Sequence, residues 1–134
     1  MRAMNEPAAS GVLKAAADLV ACFGAHDREA YFNCFSPAAS FIFYNHPEIL
    51  SDRAQYLALW RRWEEADGFR ILGCISSNSA VTMLGDVGLF THLVETHLTL
   101  GGVEQTSHER ETILFQQDST GRWLAVHEHL SPMV

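Results

Sequence analysis

Basic residues are scarce in this chain. Nine Lys and Arg stand against sixteen Asp and Glu, giving a formal charge of −7 with His neutral. Nucleic acid and anionic membranes reward clustered Lys and Arg, so neither is expected as a partner. The one basic cluster, Arg61–Arg62, is followed at once by Glu64, Glu65 and Asp67. Cysteines are few and odd in number: Cys22, Cys34 and Cys74. Their spacing suits no zinc knuckle, and they read as free, buried thiols in a reducing compartment. No apolar run is long enough to span a bilayer. Arg2, Glu6 and Lys14 have no unbroken apolar stretch behind them, so a signal peptide is not expected and the cytoplasm is the default location. Repeats, low-complexity tracts and internal linkers are absent as well.

What remains is a chain of 134 residues, 48% apolar, enough for one domain with its own core. The expected division is a flexible tail over 1–8 and a single domain over 9–134. Ser10 reads as a helix N-cap, and Val12, Leu13, Ala16, Leu19, Val20 and Phe23 follow one helical face to a stop at Gly24. Asp27 caps a second helix through Phe35, closed by Pro37. Ser40–Tyr44 is β-branched and aromatic, hence a strand. A loop follows, in which His46 is placed to guard a pocket mouth. Ser51 or Asp52 caps a third helix bearing Tyr56, Leu59, Trp60 and Trp63, and Asp67-Gly68 ends it. Strands are expected over 69–78, 80–84, 87–100, 103–117 and 122–130, separated by turn residues such as Gly101-Gly102 and Asp118–Gly121. Helices first and antiparallel strands second make an α+β fold, helices on one face of a meander.

Register arithmetic locates the candidate site. A tight turn at Gly101-Gly102 pairs Leu100 with Val103, Glu95 with His108, Leu93 with Arg110 and His92 with Glu111. Pairing Gln117 with Arg122 sets Phe115 against Leu124, Ile113 against Val126 and Glu111 against Glu128. Side chains alternate along strands. One face then holds Phe90, Val94, Leu98, Ile113, Phe115, Leu124, Val126 and Leu130. The other holds Thr91, Glu95, His97, His108, Arg110, Thr112, Trp123, His127 and His129. The apolar face should carry the helices, yet His92, Glu111 and Glu128 fall in a row across it, with Glu109 one step along. Carboxylates among Phe, Ile and Val are costly, and two of them about 5 Å apart raise at least one pKa. Such a cluster can move protons, with one Glu as base and His92 as partner or acid. A satisfied ion pair at a solvated rim is the other reading of the same residues. On the polar face, His127-x-His129 permits a metal site, but spread over three strands the set reads better as an interface, where Trp123 and Arg110 also belong.

The Gly24–Asp27 break, the Phe-rich first strand and the segment Ser51–Tyr56 resemble the nuclear transport factor 2-like superfamily. So does the ending Gly121-Arg122-Trp123-Leu124-Ala125-Val126-His127-Glu128-His129-Leu130-Ser131-Pro132, which is similar to the polyketide-cyclase-like branch and to the association domain of calmodulin-dependent kinase II. The resemblance implies a cone-shaped, curved antiparallel sheet wrapped around three helices, with a pocket inside and dimers formed through the outer sheet face. Ketosteroid isomerase residues carry over poorly. Its tyrosine position falls on Leu19, its base on Phe43 and its oxyanion aspartate near Glu111, so only the last keeps an acid. The association domain's pocket arginines fall near Ile113 and Leu130.

Two functional readings result. The first is a cofactor-free isomerase, dehydratase or cyclase acting by proton transfer on a small, mostly apolar molecule. Its catalytic residues would be His92, Glu111 and Glu128, and Phe43, Tyr56, Trp60, Phe90, Ile113, Phe115, Val126 and Leu130 would shape the pocket. The second is a non-catalytic binding or oligomerisation module of the same fold. A homodimer is expected in either case.

Overall fold

A computed structural model describes the backbone over residues 2–133 and the side chains over 6–133. Helix α1 spans Arg2–Gly24, α2 Arg28–Phe32 and α3 Arg53–Asp67. The strands are β1 (Phe35–Phe43), β2 (Arg70–Leu84), β3 (Val87–Leu100), β4 (Val103–Gln117) and β5 (Trp123–Pro132). They form one curved, unclosed sheet in the order β1-β5-β4-β3-β2, with the helices inside the curl.

Helix α1 continues toward the N-terminus past Ser10, so Ser10 is an interior residue and not the expected cap. Met1, within the expected 1–8 tail, lies outside the described residues. Helix α2 is shorter than expected. It starts at Asp27, whose carboxylate accepts from Ala30 N–H, and Cys34 already leads into β1. Pro37 therefore sits within β1, at the irregular stretch between Phe35 and Ser40 where ladder bonds are interrupted. Strand β1 runs parallel to β5, so the sheet is mixed and not wholly antiparallel. Asp52 is the α3 cap, accepting from Gln55 N–H, and Gly68 closes that helix in the left-handed conformation (φ 61). The expected strands 69–78 and 80–84 are one long strand, bent where Asn78 takes φ 55.

The β3–β4 register is the expected one throughout, from Leu100↔Val103 to His92↔Glu111. The β4–β5 register is not. Asp118 O accepts from Gly121 N–H and Asp118 Oδ1 accepts from Thr120 and Arg122 N–H. This tight turn holds Arg122 out of the ladder, so Gln117 pairs with Trp123. The one-residue slip sends Ala125 inward against Phe115 and Leu124 outward. It also turns Trp123 inward, onto α1, where its indole lies so close to Gly11 that a β-carbon there would sit 2.6 Å from Nε1. A bulge at Val126 then restores the original alternation: Leu114 pairs with His127, and Ile113 with Glu128. Glu128 and Leu130 thus face inward as expected, whereas Trp123, Leu124 and Val126 do not occupy their expected places.

The core is built largely from rings. Trp60 is fully buried, and the rings of Phe23, His26, Tyr31, Phe32 and Phe69 surround it at centroid distances of 4.9–5.9 Å. His26 ties the α1–α2 break to α3. Its Nδ1 accepts from Ile71 N–H at 2.9 Å, which leaves Nε2–H to donate to Glu64 at 2.7 Å. Gly88 admits α1 to the sheet, because any β-carbon there would meet Val12 at 2.5 Å.

Candidate proton-transfer site

The curl of the sheet leaves a cavity of about 220 Å³ between the helices and all five strands. Its apolar wall includes Leu19, Phe43, Tyr56, Trp60, Ile71 and Leu130. Phe43, Tyr56, Trp60 and Leu130 were expected there. Phe90, Ile113 and Phe115 are instead buried in the core and do not line the cavity. Val126 stands half-buried at the bulge, also outside it. His46 lies in the turn after β1, and its neighbour Asn45 is the residue that reaches the cavity.

The polar groups are concentrated on one side. The His92 side chain has no solvent exposure. Its Nε2–H donates to Glu111 Oε1 at 2.7 Å, and its Nδ1 meets Ser76 Oγ at 2.6 Å. Facing this pair is Glu128, 2% exposed and lining the cavity. Among the described residues no hydrogen-bond partner reaches Glu128 Oε1. Burial pushes the Glu128 carboxyl well above the usual carboxylate range, and the neighbouring Glu111 charge adds to the shift. Burial beside Glu111 therefore favours the protonated form of Glu128. Glu109 is also raised, chiefly by burial, while a 2.6 Å hydrogen bond from the Tyr44 hydroxyl opposes the shift. Tyr31 and Tyr56 share a buried hydroxyl–hydroxyl contact of 3.0 Å. Their ionisation is suppressed by burial first and by Glu128 next.

The three expected polar residues are thus brought together, though not in one row. The bulge shifts Glu128 opposite Ile113, so it approaches Glu111 diagonally. Ser76, Tyr44 and the Tyr31–Tyr56 pair were not foreseen as parts of the site. Each meets its partner across 16 or more residues of sequence, and no local spacing signals such a contact. Glu109 had a signal, since alternation with Glu111 on a strand puts both on one face.

Elsewhere the candidates are engaged differently. On the outer face Glu95 accepts from His97 at 2.8 Å and from His108 at 3.0 Å. His127 Nδ1 meets Ser40 Oγ at 2.8 Å. Among the described residues no three His, Cys, Asp or Glu side chains are grouped to hold a metal. Burial pushes the Cys34 and Cys74 thiols up to about 11, which makes neither a ready nucleophile. No described helix is long and apolar enough to cross a membrane.

A family model described as a SnoaL-like domain matches residues 12–134. The chain belongs to this SnoaL-like family. Solved structures with the same fold include a protein from Streptomyces avermitilis described as a candidate dehydratase of the NTF2-like family (18% identity, 96% of this chain and 98% of that one, TM-score 0.78). Another is a ketosteroid isomerase-like protein from Erwinia carotovora atroseptica (16% identity, 94% and 96%, TM-score 0.77). A third is the CaMKII hub of S. rosetta (22% identity, 93% and 96%, TM-score 0.73). At these identities the SnoaL-like chain shares their fold, and the likeness goes no further. No curated protein matches the sequence.

Proposed function

We propose that this SnoaL-like protein is a cofactor-independent proton-transfer enzyme: an isomerase, dehydratase or cyclase for a small, mostly apolar molecule. The observation that carries the reading is Glu128, a buried carboxyl that lines the cavity beside the Glu111–His92 pair and whose burial favours its protonated form. Two neighbouring carboxyl groups, one of them buried so that its protonated form is favoured, are equipped as acid and base. Glu111, oriented by His92, takes a proton from carbon. Glu128 gives its proton to the oxygen on which negative charge develops, or to a departing hydroxyl. The apolar wall keeps water from competing for either proton. A cavity of about 150 Å³ holds benzene, so 220 Å³ suits one substituted ring better than a steroid skeleton.

The test is deuterium exchange. One-ring ketones and β-hydroxy ketones are incubated with the protein in D₂O and followed by NMR. The expected result is enzyme-dependent deuterium incorporation at the carbon next to the carbonyl, reduced by about 10²-fold or more in Glu111→Gln. Exchange equal in wild type and Glu111→Gln, for every compound, sinks the catalytic reading and leaves a binding module.

Two copies are inferred to meet through the outer sheet face. Leu89, Leu93, Leu114 and Leu124 lie there half-buried, with Ile75 56% and Leu84 54% exposed, around the Glu95–His97–His108 network. The hub-like neighbour supports assembly of this fold. Sedimentation at micromolar concentration should return twice the 14.9 kDa chain mass, and Leu93→Asp should halve it. A wild-type monomer overturns the inference.

A further inference from the structure

The ladder between β2 and β3 is interrupted directly opposite His92. Ser77 pairs with Leu93 and Ala80 with Thr91, so two residues, Asn78 and Ser79, face the single His92. Asn78 takes the left-handed conformation there (φ 55). Strand β2 is an edge of the sheet, and bulges on edges are a means of re-aiming side chains beside a site. Next to this bulge Ser76 reaches His92 diagonally and sets its hydroxyl 2.6 Å from Nδ1. Ser76 Oγ also lies 3.3 Å from the hydroxyl of Ser79, which is exposed. Beyond the ring, Nε2 is 2.7 Å from Glu111 Oε1, and Glu111 lines the cavity. Hydrogen-bonding groups thus run without a break from the surface to the cavity: Ser79, Ser76, His92, Glu111. The contacts share one polarity. An ionised Glu111 only accepts, so Nε2 carries the hydrogen, Nδ1 accepts, and Ser76 donates to it. The His92 side chain itself has no solvent exposure, so water does not reach the ring directly. Orienting Glu111 needs only the Nε2 bond. The hydroxyl at Nδ1 adds a second, proton-bearing contact, and it leads outward.

We propose that Ser76, His92 and Glu111 form a proton relay joining the cavity to solvent at the β2 bulge. In one passage Ser76 gives its proton to Nδ1, Nε2 gives its own to Glu111 Oε1, and Ser76 is reprotonated from the surface at Ser79. Glu111 ends neutral, His92 ends with its hydrogen on Nδ1, and one proton has entered from solvent. The reverse passage takes a proton from Glu111 and restores the first tautomer. The relay goes beyond the proton-transfer function proposed above, and its use in turnover rests on that reading. It matters most when a ligand fills the cavity and shuts water out, because a path through the sheet does not cross the ligand. Ser76 acts through His92 and touches no reacting atom, so it is a relay residue and not a catalytic one.

The test is the rate at which the His92 Nε2–H exchanges with water, read by NMR on the intact protein labelled with ¹⁵N-histidine. Ser76→Thr and Ser76→Val have the same shape, and only threonine keeps the hydroxyl. Valine also fills the space that a substitute water would need. Exchange should be slower by about tenfold or more in Ser76→Val, with Ser76→Thr within about threefold of the wild type. The backbone amides of Phe90 and Ile113, two buried residues of the neighbouring strands, report any general opening of the sheet. Should the valine variant not fold, Ser76→Ala takes its place. Equal rates with and without the hydroxyl overturn the relay. A faster rate in Ser76→Val overturns it too, because a hydroxyl that merely holds the sheet closed would act in that direction. So does a wild-type Nε2–H that exchanges no faster than the Phe90 and Ile113 amides. No substrate is present, so the result is separate from the ketone assay. Slowed imidazole exchange without any ketone exchange upholds the relay and sinks catalysis. Unchanged imidazole exchange with Glu111-dependent ketone exchange does the reverse.

Discussion

Glu128→Gln is expected to stabilise the protein, and by more as the pH rises. In the native state the Glu128 carboxyl keeps its proton well above its ordinary value of 4.5. Below that value both folded and unfolded chains hold the proton, and the group contributes nothing that depends on pH. Above it the unfolded chain releases the proton while the native state retains it, so native stability falls with rising pH. The slope is about 1.4 kcal/mol per pH unit until the native carboxyl itself ionises. Gln has the same shape, stays neutral and removes that slope. Other groups shift too. Glu109 is raised and slopes the same way, while His127 is lowered, chiefly by burial, and slopes the opposite way below 6.5. Both are present in the variant, so the difference between the two proteins isolates Glu128. Urea unfolding at pH 5, 6.5 and 8 should show a gap that widens with pH. A gap that is constant or closes contradicts a neutral buried Glu128.

Trp60→Ala should be the most damaging single truncation. The side chain is fully buried and six other rings pack against it, so truncation removes a large apolar area and leaves a cavity that rigid neighbours cannot fill. Aromatic-to-alanine changes in cores cost about 3–5 kcal/mol. Domains of this size hold only about 5–15 kcal/mol in total. A fall in Tm of about 10 °C or more is expected in thermal unfolding. A loss below about 1 kcal/mol would mean that the ring cluster does not hold α3 against α1 and the sheet.

The parts of this architecture that were readable in advance are those governed by local chemistry. Asp27 and Asp52 are caps with a carboxylate three residues before the amide each satisfies, and Gly101-Gly102 permits one tight turn only. From that turn the whole β3–β4 register follows, and with it the His92–Glu111 pair. The turn at Asp118 is longer, and its internal hydrogen bonds decide which residue enters the ladder first. Residue type alone does not rank those options, so Leu124, Val126 and Trp123 were misplaced. The bulge at Val126 compensates one shift with another, which is why Glu128 still faces inward. Whether Phe90, Ile113 and Phe115 line a cavity or fill a core depends on how closely α1 approaches. That distance is set by Gly88 against Val12, a contact 76 residues apart in sequence. Tyr44 over Glu109 and Ser76 on His92 likewise depend on the final curvature of the sheet.

The central claim is that Glu128 is a neutral acid coupled to Glu111. Its most direct test is a ¹³C NMR titration of the glutamate side-chain carboxyls, with the Glu128 signal assigned by its loss in Glu128→Gln. The account predicts a Glu128 midpoint well above the ordinary carboxylate range, moving downward in Glu111→Gln as the neighbouring charge is removed. A Glu128 that titrates near 4.5 and ignores Glu111→Gln contradicts the coupled acid–base pair, and with it the proton-transfer function.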